Sequence, residues 1–195
     1  MSYLCLISNN NGVSISADSR LTARKAHFDH AMKVFGSDDL IFGIAGSYRK
    51  AGETIAKVVR NIMLDESASP EVRISSAVSY LRFQTKAFDT SCSLLIAAKG
   101  ESGKIVCSID IKSGYDKRRD YSNNTLVAIQ NGLNSDKLTD LKEYLPSKET
   151  GLEEICDLSK KRVSESIAYD YKMHNLLGYY VATVGGEVNT VSLKW

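Results

Sequence analysis

Residues 12–20 read GVSISADSR, and they decide how the N-terminal part of this 195-residue chain is interpreted. Apolar and small polar residues alternate from residue 13 to residue 17, which predicts a β-strand. Asp18 and Arg20 follow directly, so a carboxylate and a guanidinium lie where the strand ends. The preceding residues 9–12, NNNG, predict a tight hairpin turn because asparagine and glycine tolerate positive φ.

Further short strands surround this hairpin. The residue patterns predict strands at 3–8 (YLCLIS), 32–35 (MKVF) and 40–45 (LIFGIA), with a loop over 21–31. A helix is predicted to start at Gly46-Ser47 and to run to Met63, because apolar residues recur there at helical spacing. The chain therefore opens with four predicted antiparallel strands.

The remaining chain alternates between helices and strands. Ser69-Pro70-Glu71 predicts the start of a second helix, because it combines a capping hydroxyl, a proline in the first turn and an acid. The later patterns predict strands at 92–98, 104–111 and 125–129, helices at 135–144 and 151–172, and a closing hairpin at 179–184 and 188–193 around Gly185-Gly186.

The order of these elements predicts the fold class. Pairs of helices separate groups of antiparallel strands, and one face of a sheet cannot hold all four helices. The expected architecture is therefore α+β, with two stacked sheets and a helix pair on each outer face, a four-layer α/β/β/α sandwich. The composition is 43% hydrophobic and 25% charged with no evident linker, so residues 1–195 are expected to form one domain.

Charge and hydropathy exclude several classes of protein. The net charge is +2, and the basic residues 117–119 are flanked by Asp116 and Asp120, so we expect a solvated turn there and no nucleic-acid partner. No apolar run reaches about 18 residues, which argues against a membrane helix. The N-terminus does not read as a secretion signal. Four cysteines without a CxxC pair indicate free thiols in a reducing compartment, and we expect a cytoplasmic protein.

A short polar segment holds three residue types that bind metals. His27, Asp29 and His30 supply part of a ligand set, but no further strong ligand lies nearby in the sequence. We therefore predict no metal site.

The N-terminal motifs are similar to those of a known family. GVSISADSR, the lysine of AMKVF (Lys33) and LIFGIAGS together resemble proteasome β-type subunits, which are N-terminal-nucleophile hydrolases related to the bacterial protease HslV. In that family a threonine becomes the N-terminal nucleophile, and counting back from Asp18 puts Ser2 in its place. A Met-Ser start also resembles bacterial proteasome-like proteins such as Anbu. We expect removal of Met1 to expose Ser2.

The resemblance implies a role for each of these residues. Ser2 supplies the nucleophile, and its own α-amine, which titrates near a pKa of about 8, supplies the base. Lys33 favours the deprotonated amine and stabilises the developing alkoxide. Asp18 pairs with Lys33 and keeps it charged and oriented. The backbone N–H of Gly46 is the expected oxyanion donor.

Further residues are implied in support and substrate binding. Asn131 stands where the family has the serine of a Gly-Ser-Gly turn, and the resemblance implies that Asp170 is the supporting aspartate, although the glycine pair that follows this aspartate in the family is missing from AYDYKMHNLLGYY. The peptide main chain is expected to bind as an added strand. The residues implied for the peptide are Thr22, Ala23 and Arg24, and those for the specificity pocket are Tyr48 and Arg49.

The predicted activity is hydrolysis of peptide or protein substrates through an acyl-enzyme on Ser2 Oγ, with no metal or organic cofactor. The resemblance also implies self-assembly as a ring or an open helical array, and it makes an ATPase unfoldase a candidate partner. Two other functions stay open. One is a non-catalytic structural subunit that keeps Met1, and the other is an amidase that acts on a small molecule.

Overall fold

The computed structural model describes residues 2–23, 26–47, 52–122, 124–131, 144–177 and 184–195. The described chain is α+β. Its strands and helices are β1 (Ser2–Ser8), β2 (Gly12–Asp18), β3 (Leu21–Ala23), β4 (Ala26–Phe28), β5 (Val34–Gly36), β6 (Leu40–Ser47), α1 (Gly52–Met63), α2 (Pro70–Phe88), β7 (Ser91–Gly100), β8 (Gly103–Lys112), β9 (Tyr115–Asp120), β10 (Thr125–Asn131), α3 (Leu152–Leu177) and β11 (Val188–Lys194).

Two antiparallel sheets organise these strands. The first sheet has the order β10-β1-β2-β11, and the second has the order β5-β6-β7-β8-β9. Strands β3 and β4 form a separate two-stranded hairpin. The register places Leu4 of β1 opposite Ala17 of β2, and Ser2 opposite Asn131 of β10. The ends of β1, β2 and β10 are therefore neighbours in the first sheet.

The alternation in β2 decides what each of its faces contacts. Val13, Ile15 and Ala17 belong to an apolar cluster that also contains Ile41 and Leu95 of the second sheet. The serines between them face α3. Apolar burial thus joins the two sheets on one side of β2, as the alternating pattern predicts.

Hydroxyl groups join the other face of β2 to α3. Ser159 Oγ lies 2.9 Å from Ser14 Oγ and 2.8 Å from Ser16 Oγ, and Thr190 Oγ1 of β11 lies 2.7 Å from Ser16 Oγ. The three serine hydroxyls are buried and Thr190 is partly buried, and these groups satisfy one another, so helix and sheet can pack closely without an unpaired polar group here.

Among the described residues, helix α3 packs on the first sheet, and helices α1 and α2 pack on the second. Apolar residues of α3 such as Ile155 and Val163 pack with Tyr3, Cys5 and Ile7 of β1. Helices α1 and α2 pack against the second sheet through a cluster of buried side chains that includes Ile55, Val59, Ile74, Leu81, Phe42, Leu94 and Ile109. No helix among the described residues is both long and apolar enough to span a bilayer.

The predicted hairpin turn at 9–12 is present, but its physical reason differs from the expected one. Asn9 N–H donates to Gly12 O at 3.0 Å, and none of these four residues has a positive φ. Asn9 Oδ1 instead accepts the N–H of Asn11, and Asn9 Nδ2 donates to the Thr150 carbonyl. Gly12 is required for space, since a Cβ there would lie 2.7 Å from a side-chain carbon of Leu152.

Several predicted elements need correction. Strand β6 continues to Ser47 and α1 begins at Gly52, so Gly46 lies inside a strand and not at the start of a helix. The basic residues 117–119 lie on the exposed edge strand β9 and not in a turn. Residues 21–31 contain the β3–β4 hairpin and not a plain loop. The predicted helix at 135–144 and the predicted strand at 179–184 lie almost wholly outside the described residues.

Candidate active site

The carboxylate of Asp18 is the centre of a buried polar site at the end of β2. Asp18 is fully buried, and its Oδ1 accepts the N–H of Tyr3 at 2.7 Å. Its Oδ2 lies 2.9 Å from Lys33 Nζ and accepts the N–H groups of Arg20 at 3.2 Å and Gly185 at 3.3 Å. A buried carboxylate is costly unless it is paired and hydrogen-bonded, and this one is both.

Lys33 is the cation of this buried pair. Its side chain is 4% exposed, and Nζ also donates to the Arg20 carbonyl oxygen at 2.5 Å. The main chain of Lys33 is anchored by β6, because the N–H of Ile44 donates to its carbonyl oxygen at 2.9 Å. Burial lowers the pKa of Lys33, and the Asp18 carboxylate opposes that change while the Arg20 guanidinium adds to it.

The main chain of Ser2 lies next to this ion pair. Ser2 directly precedes Tyr3, whose N–H is bonded to Asp18, and it pairs with Asn131 across β1 and β10. The side chains of Ser2 and Asn131 lie outside the part of the chain that can be described. The fold therefore brings four predicted site residues together. They are Asp18 and Lys33 with their side chains, and Ser2 and Asn131 with their main chains.

Asp170 contacts the site indirectly, through Val184 and Gly185. This residue of α3 is buried, and its Oδ2 accepts the N–H of Val184 at 2.9 Å. The next residue, Gly185, donates its N–H to Asp18. Asp170 thus positions the segment that donates a main-chain hydrogen bond to the Asp18 carboxylate.

For the other predicted residues, the structure gives the position of the main chain, or the residue lies outside the described ranges. Gly46 pairs with Cys92 within the second sheet, two residues along β6 from the amide that binds Lys33. Thr22 and Ala23 lie on β3, where β4 already pairs with one edge of that strand. Arg24, Tyr48 and Arg49 lie outside the described residues.

The sequence interpretation missed two glycines that pack against the site. A Cβ at Gly185 would lie 2.5 Å from Arg20 Cζ, and a Cβ at Gly186 would lie within 2.8 Å of the Asp29 carbonyl oxygen. Gly186 also has a φ of +75°, which favours glycine. A glycine pair is therefore present beside the site, fifteen positions after Asp170 instead of directly behind it. The Gly-Gly pattern was visible, but it indicates a hairpin turn equally well.

The site also includes an ion pair that the sequence interpretation missed. Arg20 Nε lies 2.6 Å from Asp29 Oδ1, and Arg20 Nη2 lies 2.8 Å from Asp29 Oδ2. By its residue type, Asp29 had indicated only part of a metal ligand set, together with His27 and His30. Across the described ranges, no group of three or more His, Cys, Asp or Glu side chains could hold a metal ion.

The fold is that of the proteasome-like N-terminal-nucleophile hydrolases. The structure is similar to Anbu (ancestral beta-subunit) from Yersinia bercovieri, with a TM-score of 0.65 and 16% identity, over 97% of this chain and 80% of that one. It is also similar to eukaryotic HslV from Trypanosoma brucei, with a TM-score of 0.63 and 14% identity, over 99% of both chains. The sequence matches no family model and no curated protein. At 14–16% identity this similarity establishes the fold alone.

Proposed function

We propose that this protein is a proteasome-like peptidase, which hydrolyses peptide bonds with Ser2 as nucleophile after Met1 is removed. The observation that carries the proposal is the buried Asp18–Lys33 pair, hydrogen-bonded to the main chain directly after Ser2. A buried carboxylate–lysine pair costs desolvation free energy and is weak evidence for stability. The pair lies beside the start of β1, next to Ser2, and this position in this fold favours a catalytic role for the pair.

The proposed reaction begins at the N-terminus. The α-amine of Ser2 takes the proton from Oγ, and Oγ forms a bond to the substrate carbonyl carbon. The C–N bond then breaks, and the leaving amine takes that proton. Water hydrolyses the resulting ester, and the α-amine serves again as the base. A single residue thus supplies nucleophile and base.

Lys33 has a defined part in this reaction. An ammonium group has three N–H donors, and two of them go to Asp18 and to the Arg20 carbonyl. We assign the third to Ser2 Oγ, where a positive charge stabilises the developing alkoxide and lowers the pKa of the neighbouring α-amine. The Gly46 N–H is assigned to the oxyanion, while Asn131 and Asp170 are assigned to the support of the α-amine.

Substrate binding and assembly follow from the same proposal. A peptide would pair with the edge of β3 that faces away from β4, along Thr22, Ala23 and Arg24, with Tyr48 and Arg49 at the specificity pocket. The layer order α/β/β/α is proposed because α3 packs on the first sheet and α1 and α2 pack on the second. A ring or helical array in the cytoplasm, with or without an ATPase partner, is part of the proposal, supported by the similarity to a protein described as a beta-subunit.

The mass of the mature N-terminus tests the proposal. Protein purified from its natural host is expected to lack Met1 and to gain the mass of a peptide epoxyketone, a reagent that reacts with a neighbouring hydroxyl and amine. Ser2→Ala keeps a small second residue, so Met1 removal continues while labelling stops. Ser2→Thr is the matched control, because it keeps the hydroxyl and should retain labelling.

Turnover separates the competing functions. Fluorogenic peptides and small amides are assayed with wild type and Ser2→Ala. Peptide hydrolysis that disappears in Ser2→Ala supports the peptidase, and hydrolysis of small amides alone identifies an amidase. A chain that always keeps Met1 is a structural subunit, and turnover that is unchanged in Ser2→Ala excludes both enzymes.

A further inference from the structure

A second ion pair, Arg20–Asp29, lies beside the buried Asp18–Lys33 pair, and its Asp29 carboxylate is 28% exposed. Arg20 is 2% exposed, and its guanidinium forms two hydrogen bonds to the Asp29 carboxylate at 2.6 and 2.8 Å. Asp18 and Asp29 thus balance Lys33 and Arg20. Because charges are expensive to bury unless paired, removal of either carboxylate leaves an excess positive charge in the site.

Arg20 is held from several directions. The Tyr171 hydroxyl accepts a hydrogen bond from Arg20 Nη2 at 2.5 Å, and the Tyr171 ring centroid lies 5.1 Å from Arg20 Cζ. Gly185 packs against the guanidinium so closely that no side chain fits there. Planar bidentate pairing of this kind fixes orientation as well as charge.

The position of the Arg20 side chain affects Lys33 through the Arg20 main chain. The Arg20 carbonyl oxygen accepts a hydrogen bond from Lys33 Nζ, and the Arg20 N–H donates to Asp18. The side chain of the same residue is anchored on Asp29. A displaced Arg20 would therefore move one of the two acceptors that hold the Lys33 ammonium.

We propose that Asp29 is a positioning residue for this site: through Arg20 it fixes a main-chain acceptor of Lys33, and its carboxylate offsets the charge of the Arg20 guanidinium beside Lys33. The catalytic consequence rests on the proposed function, whereas the effect on Lys33 does not. Nothing in the N-terminal motifs marks Asp29, because it lies nine residues after Arg20 within the stretch that was predicted as a loop.

The charged groups around Lys33 support this inference. Burial is the largest influence on the pKa of Lys33 and lowers it; Asp18 raises it, Arg20 lowers it and Asp29 raises it. The hydrogen bonds to Asp29 are the main cause that raises the pKa of Arg20, so Arg20 stays charged throughout. Other titratable groups near this cluster are Tyr171 beside Arg20, His30 next to Asp29, Asp170 of α3 and Glu187, whose N–H donates to Ser19 Oγ.

The protonation of Lys33 is measured directly in the full chain. Lysine residues are labelled with ¹³C, the ε-methylene signal of Lys33 is assigned by its loss in Lys33→Met, and the signal is titrated with pH. Asp29→Asn keeps the shape and removes the charge, so the Lys33 midpoint should move to lower pH. An unchanged midpoint in folded Asp29→Asn would overturn the inference.

Two further variants keep the test specific. Asp39→Asn is the matched control, because Asp39 pairs with the buried Arg73 at the turn between β5 and β6, and the Lys33 midpoint should not change. The double variant Arg20→Met, Asp29→Asn removes the cation with the carboxylate and should keep the midpoint near the wild-type value. A midpoint that moves equally in Asp39→Asn, or that stays low in the double variant, contradicts the charge argument.

Hydrolysis gives a separate result. With an active wild type, Asp29→Asn should lower kcat by about tenfold or more with little change in KM, since slight misplacement of a catalytic group can cost about 10²-fold. Wild type that hydrolyses nothing defeats the proposed function but leaves the Lys33 titration as a valid test. An active Asp29→Asn with wild-type kcat and a wild-type midpoint defeats the role of Asp29 alone.

Discussion

Replacement of Asp18 by asparagine is the most demanding test of the buried site. All four partners of the Asp18 carboxylate are donors: one ammonium and three main-chain N–H groups. Asparagine has one oxygen acceptor and one NH2 donor, so at least one of these four donors would face the NH2 group in place of an acceptor. Lys33, whose side chain is 4% exposed, would also lose its counter-charge.

The size of the effect follows from burial. Removal of one partner of a buried ion pair costs about 3–5 kcal/mol, because the remaining charge stays desolvated. Domains are stable by about 5–15 kcal/mol, so Asp18→Asn should remove a large share of the free energy of unfolding. Asp120→Asn is the control, since the Asp120–Arg118 pair on β9 is exposed and should contribute less than about 1 kcal/mol.

The loss should also depend on pH in a defined direction. The pKa of Lys33 is lowered in the folded state, so between that value and the unfolded value of about 10.4 the unfolded chain binds more protons and stability rises with pH. Asp18→Asn removes the neighbour that raises the pKa of Lys33, which widens this range toward lower pH. The deficit relative to wild type should therefore be largest near neutral pH and should narrow as the pH rises toward 10.

Urea unfolding measures this prediction. The single tryptophan, Trp195, is partly buried and donates from Nε1 to the Asn9 carbonyl at 2.8 Å, so its fluorescence reports folding. Lys33→Met added to Asp18→Asn removes the unpaired ammonium and should recover part of the lost free energy of unfolding. A cost below about 1 kcal/mol for Asp18→Asn, or a double variant that shows the two losses simply added, would refute the reasoning.

Three other predictions concern the packing of α3 against the first sheet. Gly12→Ala would place a methyl 2.7 Å from a side-chain carbon of Leu152 and should cost about 1–3 kcal/mol in urea unfolding, whereas Gly151→Ala, with nothing within 4 Å, should cost far less. Ser159→Ala removes the shared partner of two buried strand hydroxyls and should cost about 1–3 kcal/mol; a neutral result would show that the hydroxyl network contributes little to stability. Burial raises the pKa of the Cys5 thiol to about 12, so this thiol should resist iodoacetamide at pH 8 until urea unfolds the chain; rapid alkylation of the folded protein would contradict its burial.

Local patterns explain which parts of the fold could be predicted. The strand at 13–17 and the helix after Ser69 follow from short-range rules, namely alternation and a proline in the first turn, and both are present in the structure. The predicted helix is present and ends at Met63, but its predicted start at Gly46 was wrong, because Gly46 and Ser47 fit the end of a strand as well as the start of a helix. Pairing with β7 extends that strand to Ser47.

The contacts around Arg20 could not be predicted in the same way. Its partners are Asp29, in a stretch that reads as a loop, and Tyr171, which lies 151 residues away on α3. Gly185, which donates to Asp18, lies 167 residues from it. Nothing in local spacing specifies such contacts, since they depend on how α3 and the segment before β11 pack onto the first sheet.

The sequence by itself determined that β2 ends in a carboxylate, that a lysine follows fewer than twenty residues later, and that a hydroxyl residue lies at the start of the first strand. These facts depend on residue order alone. Only the tertiary structure decided that Asp18 and Lys33 form a buried pair next to Ser2, that Asn131 lies opposite Ser2, and that the charge of Arg20 is balanced by Asp29. The reason is physical: a charge in the interior must find its partner in space, and sheet register and helix packing decide which groups come within reach.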